Sequence, residues 1–156
     1  LDQAAQAGDN TRYPMPRPKP GENPYDMSFS GLKTAALNTI HHAQQVGEEI
    51  DIPGLCASFC AAVSDTLVPR VVMALKETGH KTLAVAGGVA ANSVIRRDIL
   101  AAAEKLGVEV CLPPLSLCGD NAAMIGAQGY YEYLAGNIAD MDLNAYATKS
   151  ILGETL

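Results

Sequence analysis

A chain of 156 residues, 48% of them hydrophobic, carries enough apolar material for one ordinary core, which excludes a wholly disordered segment. Its formal net charge is minus 6 and its pI about 4.9, which excludes the basic footprint of a protein that neutralises many phosphates by itself. No uninterrupted apolar run approaches the roughly 20 residues that span a bilayer, so a soluble, cytoplasmic protein with no membrane partner is expected.

The chain starts at Leu1 without an initiator Met or a leader, and reads as a piece of a longer protein. The four cysteines, Cys56, Cys60, Cys111 and Cys118, make no CxxC pair and sit in apolar surroundings, as reduced thiols in a core would. Two small basic groups, Arg12, Arg17 and Lys19, then Arg96-Arg97, read as solvated surface.

In chain order, residues 1–24 form the first expected segment, Pro-rich and extended. Pro14, Pro16, Pro18, Pro20 and Pro24 each fix φ and remove a donor, so the stretch from Tyr13 is a connector without ladder bonds. Tyr25-Asp26-Met27-Ser28-Phe29 alternates as a half-buried strand does, and a helix is expected from about Leu32 to Val46, closed by Gly47. Asp51-Ile52-Pro53 signals the next helix, whose stripe of Leu55, Phe59, Ala62, Val63, Leu67 and Val71 runs to about Lys76, with a kink expected between Asp65 and Pro69. Gly79 ends it.

Thr82-Leu83-Ala84-Val85-Ala86 reads as a strand covered on both faces, followed by the glycine turn Gly87-Gly88. A helix from about Asn92 to Leu106, the cap Gly107 and the strand Val108–Cys111 complete a βαβ unit with parallel strands. Pro113-Pro114 enforces an extended exit, and Gly119-Asp120-Asn121 opens a last helix ending near Gly136. The organisation expected is an extended segment over 1–24, a folded α/β part over 25–136 and a surface tail over 137–156.

Three places can carry chemistry. At the glycine turn, two residues without Cβ allow close approach of a ligand, and the helix behind them offers unpaired N–H groups and a positive dipole end to an anion. Asn92 at the helix start can donate to and accept from a ribose or a base edge, or simply cap the helix. Asp120 can cap the last helix or serve as a metal ligand, though one carboxylate does not make a metal site.

The third place is the turn around Ser28, Ser30 and Lys33, where helix capping explains Ser30 equally well. His41, His42 and His80 form no pair at i, i+4 spacing, and Cys118 has no histidine or lysine beside it in sequence to activate it.

The ordered set Ser28-Phe29-Ser30-Gly31-Leu32-Lys33-Thr34, Ala86-Gly87-Gly88-Val89-Ala90-Ala91-Asn92 and Cys118-Gly119-Asp120-Asn121-Ala122-Ala123-Met124 resembles the C-terminal half of the tRNA threonylcarbamoyladenosine transferase family, once called glycoproteases or sialoglycoprotein endopeptidases. The resemblance runs from Leu1 to roughly Leu143. It implies an α/β fold, the C-terminal lobe of an actin-like, Hsp70-like (ASKHA) ATPase architecture with a mixed sheet and flanking helices.

It also implies transfer of a threonylcarbamoyl group from threonylcarbamoyl-AMP to the adenosine beside the anticodon of tRNA, with iron or zinc as the metal and threonylcarbamoyl-AMP or ATP as the nucleotide. By motif match, Asn92, Gly87 and Gly88 would meet the nucleotide, Asp120 would be the metal's carboxylate, and Asp2 resembles an acid that reaches the nucleotide. The metal's two histidine ligands have no counterpart in this sequence. Implied partners are tRNA and further subunits, among them a paralogous dimerisation subunit and an ATPase. Gly119, where Thr is common, and Pro69 depart from the family pattern. A sugar or acid kinase of the same superfold and a non-catalytic dimerisation partner are the alternatives; a protease lacks any HExxH, Ser-His-Asp or Cys-His arrangement.

Overall fold

A computed structural model describes residues 1–19 and 21–145, which fall into two compact units, one up to Gly119 and one from Asp120 onward. The first holds helices α1 (Asp2–Ala5), α2 (Ser30–Val46), α3 (Ile52–Thr78) and α4 (Ser93–Leu106) and strands β1 (Thr82–Ala84) and β2 (Glu109–Cys111); the second holds helix α5 (Ala122–Leu134). The class is α/β. Among the described residues the sheet has two strands, paired in parallel with Thr82 opposite Glu109 and Ala84 opposite Cys111.

Local chemistry sets most helix ends. Gly47, Gly79 and Gly107 close α2, α3 and α4 at φ of 72°, 69° and 64°, a left-handed conformation that costs glycine nothing. At the start of α3 the Asp51 carboxylate accepts from the Gly54 amide at 3.0 Å, with Pro53 in the first turn, where its missing N–H is no loss. Gly136, two residues past α5, also has positive φ.

The long helix α3 is the spine of the first unit, packed by α1, α2 and α4. Leu32, at 0% exposure, meets Leu55, Ala62 and Met15 in one cluster; Ala5, Cys56, Ala57 and Cys60 form a second; Leu75, Ala103 and Val108 form a third next to the sheet. Ser58, Ser64 and Thr66 are buried on α3 and all are satisfied: the Ser64 hydroxyl donates to Asp98 of α4 at 2.6 Å, and Thr66 to the carbonyl of Ala62. Burial pushes the Asp98 carboxyl up, but the bonds from Arg97 and Ser64 outweigh it and hold the group below its ordinary value. Pro69 does not break α3, and the Arg70 guanidinium one residue on binds the carbonyls of Thr66 and Asp26.

Several expectations are corrected. The first segment is not extended throughout, because Asp2–Ala5 is helical and Ala5 is buried against α3. Tyr25–Phe29 is not a strand: no other strand lies beside it among the described residues, and its polar groups go instead to Asn23, to Arg70 and, through the Tyr25 hydroxyl, to Glu77. Helix α2 begins at Ser30, two residues earlier than the apolar pattern indicated.

Strand β1 is not covered on both faces; only Leu83 is half-buried, between exposed Thr82 and Ala84, since helices pack on one side alone. Cys56, Cys60 and Cys118 are buried free thiols, whereas Cys111 is exposed. By length and composition α3 is also apolar enough to cross a bilayer; it is the core helix of the unit, with the three buried hydroxyls above. Of the expected tail, residues 146–156 lie outside the described residues.

Candidate functional site

The turn after β1 is built by one glycine. Gly87 takes φ 90°, ψ 170°, a region in essence reserved for glycine, and the chain then winds into a single 3-10 turn, Gly88–Ala91. Gly88 has no positive φ, and a Cβ on it would meet nothing within 4 Å. Gly87→Ala is therefore expected to destabilise the protein by on the order of 1 to 3 kcal/mol, and Gly88→Ala to leave the melting temperature unchanged, as thermal denaturation would show.

Asn92 caps α4. Its Oδ1 accepts from the amides of Val94 and Ile95, both at 3.1 Å, and its Nδ2 donates to the Sγ of Cys60 at 3.4 Å. With the oxygen doubly engaged and one N–H on sulfur, the side chain can offer a ligand one N–H donor and no acceptor. Burial pushes the Cys60 thiol up from its ordinary value, only partly offset by the Asn92 bond, so it stays protonated near neutral pH.

Asp2 is brought to the same place from 91 residues away. Its Oδ1 accepts from the amide and the hydroxyl of Ser93, each at 2.8 Å, while Gln6 approaches Oδ2 at 3.5 Å. The first four amides of α4 are thereby all satisfied, by Asp2, by Asn92 Oδ1 twice, and by the Asn92 carbonyl at Arg96. The expectation that this helix presents unpaired N–H groups to an anion is corrected. Its positive end already faces the Asp2 carboxylate. In the preceding turn, the amides of Gly87, Gly88 and Val89 have no hydrogen-bond acceptor among the described residues.

The Ser93 hydroxyl and then the Ser93 amide hold the Asp2 carboxyl below the usual carboxylate range. A depressed folded-state value means the stabilisation is present above the unfolded carboxylate's range and lost as pH falls through the folded one. Asp2→Asn is accordingly expected to melt below wild type at about pH 7, with the gap closing below about pH 4, in a pH series of thermal melts.

Asp2, Gly88 and Asn92 line one cavity of about 360 Å³, whose other walls include Phe59, Val63, Val89 and Ile95. Arg96 is not the solvated residue expected, since its guanidinium donates to the carbonyls of Ala90 and Pro113. Of the other basic residues, Arg17 pairs with Asp65 at 2.8 Å and Arg97 with Asp98 at 2.8 Å.

Asp120 stands in the second unit and is exposed. It is not the cap of α5; that is Asn121, whose Oδ1 accepts from the Met124 amide at 3.0 Å. Among the described residues no group of three or more His, Cys, Asp or Glu could hold a metal, so the residues present do not fit a metal site by themselves. Sequence reading missed the Cys60 contact and the Arg96 bonds, neither of which has a local signal.

A family model described as TsaD, tRNA N6-adenosine threonylcarbamoyltransferase, matches residues 1–127. The tRNA N6-adenosine threonylcarbamoyltransferases of Moorella thermoacetica, Lactobacillus delbrueckii subsp. bulgaricus and Streptococcus equi subsp. equi are 46%, 51% and 48% identical over 145, 148 and 145 residues. In each case the match covers 93% of this chain and 42% of the relative, so the chain spans less than half the length of these relatives. On this evidence the chain belongs to the TsaD family of tRNA N6-adenosine threonylcarbamoyltransferases.

Proposed function

We propose that this chain forms the nucleotide-side wall of an enzyme that moves a threonylcarbamoyl group from threonylcarbamoyl-AMP to the N6 amine of the adenosine beside the anticodon of tRNA. The observation that carries the reading is the convergence of Asp2 with Gly88 and Asn92 of the glycine turn on one largely apolar cavity, from two separate stretches of a chain that belongs to this family.

The roles follow from what each group has left to give. Apolar side chains of Phe59, Val63, Val89 and Ile95 suit the faces of an adenine ring and keep water from it. A ribose hydroxyl would donate to Oδ2 of Asp2, because Oδ1 is engaged by Ser93. The phosphate would be met by the amides of Gly88 and Val89 and not by the start of α4, where Asp2 would repel it. Asn92 would give its remaining N–H to a nucleotide acceptor. As the amine nitrogen bonds to the carbamoyl carbon, the bond from that carbon to the phosphate oxygen breaks, AMP departs with the bonding pair, and the amine gives up one proton to solvent; the wall's part is to hold the adenylate in place. None of Asp2, Cys60 or Asn92 is free to act as a general base.

In the same reading the chain is the C-terminal lobe of an actin-like fold, with 25–136 as the nucleotide-binding part, 1–24 as a leading segment and 137–156 as a tail. Asp120 is one carboxylate of an iron or zinc site whose remaining ligands lie outside this chain. With a net charge of minus 6, most of the tRNA grip would come from other parts of the enzyme and from partner subunits, a paralogous dimerisation subunit and an ATPase among them, in the cytoplasm. The kinase and scaffold alternatives are not favoured by the family match. The test is transfer from threonylcarbamoyl-AMP to tRNA by the complete protein, wild type against Asn92→Asp and Asp120→Ala; equal transfer by all three would overturn the reading.

A further inference from the structure

Arg96 makes no ion pair among the described residues, although it is half-buried in an acidic chain. Its Nε donates to the carbonyl of Ala90, inside the 3-10 turn of Gly88–Ala91, at 3.0 Å, and its Nη2 to the carbonyl of Pro113 at 2.5 Å. Neither carbonyl lies in a ladder. Pro113 and Pro114 have no N–H of their own, so this exit from β2 cannot be held by strand pairing, and the next fixed points are the Leu117 amide and the Cys118 thiol on the carbonyl of Pro114. The planar guanidinium, with donors at fixed angles, suits two carbonyls from different segments; an ammonium has no such fork.

We propose that Arg96 is a positioning residue: it clamps the glycine turn to the Pro113-Pro114 exit, and so fixes the turn in the shape that meets the nucleotide. The inference rests on the reading that the turn binds a nucleotide. The clamp acts through Ala90, two residues before Asn92, and so restrains the turn that carries the Gly88 and Val89 amides.

The experiment uses the complete protein with AMP as the probe, by titration calorimetry well below the melting temperature. Arg96→Met is expected to weaken AMP binding by roughly tenfold or more, while Arg97→Ala, altered at an exposed neighbour, binds as wild type does. In the variant without ligand, amide exchange should quicken in residues 87–92 and 115–118 together, with α2 and its caps unaffected. Millimolar guanidinium should restore part of the AMP affinity of Arg96→Ala, a recovery that general loss of stability would not show. Wild-type affinity in both Arg96 variants, or quickened exchange in only one of the two segments, would overturn the clamp. A wild-type protein that fails to bind AMP would overturn the nucleotide reading itself, and the affinity role of Arg96 with it.

Discussion

Asn92→Asp is expected to leave the fold in place and to lower nucleotide affinity by about 10- to 150-fold, the range for a hydrogen bond to a charged or strongly polar partner. The two roles of this residue use different atoms, which is why the substitution can separate them. A carboxylate oxygen accepts from the Val94 and Ile95 amides as the amide oxygen does, and its charge favours the positive end of α4. The N–H donors vanish, one from Cys60 and one from the ligand, and a second negative charge comes beside Asp2. Asn92→Ala removes the cap as well and should cost a further ~1 kcal/mol of stability. Calorimetric titration with AMP and thermal melts of both variants check this. If Asn92→Asp binds AMP as tightly as wild type, the residue is a cap and nothing more.

The second large effect is expected at Asp120. In the complete protein Asp120→Ala should lose most of the bound metal and on the order of a hundredfold or more in transfer, with the melting temperature of the metal-free form unchanged. The separation is clean because Asp120 carries no structural duty among the described residues: it is exposed, and Asn121 caps the helix. Metal content measured on purified protein, beside the transfer assay, reads the two effects independently. Full metal occupancy in the variant would remove Asp120 from the ligand set, whatever happened to transfer.

Much of the fold was legible because the signals were local. Gly47, Gly79 and Gly107 stand where helices stop, Asp51-Ile52-Pro53 where one starts, and parallel pairing of β1 with β2 follows from the strand, helix, strand order. The alternation of Tyr25–Phe29 misled because a strand needs a neighbour to accept its ladder bonds, and none is there among the described residues. The apolar composition of Thr82–Ala86 overstated its burial, since composition reports what a strand tolerates and not how many faces are packed.

At the site, Asn92 was legible as both cap and candidate ligand, but which atoms it had left depended on Cys60, 32 residues away. Asp2 and Arg96 were ambiguous for the same reason. One arginine of a pair looks like surface until Ala90 and Pro113 are seen to be its partners, and nothing next to Asp2 in sequence points to Ser93 as the group that holds it.

The two glycines of the turn would be lost by different routes in a genetic selection. At position 87 the backbone angle alone forbids a side chain, so substitutions there would fail through low abundance, in any host and with any substrate supply. At position 88 the protein itself leaves room for a methyl group. An allele that fails at 88 while accumulating normally would thus be reporting the shape of the bound molecule, which makes that residue a ruler for the ligand.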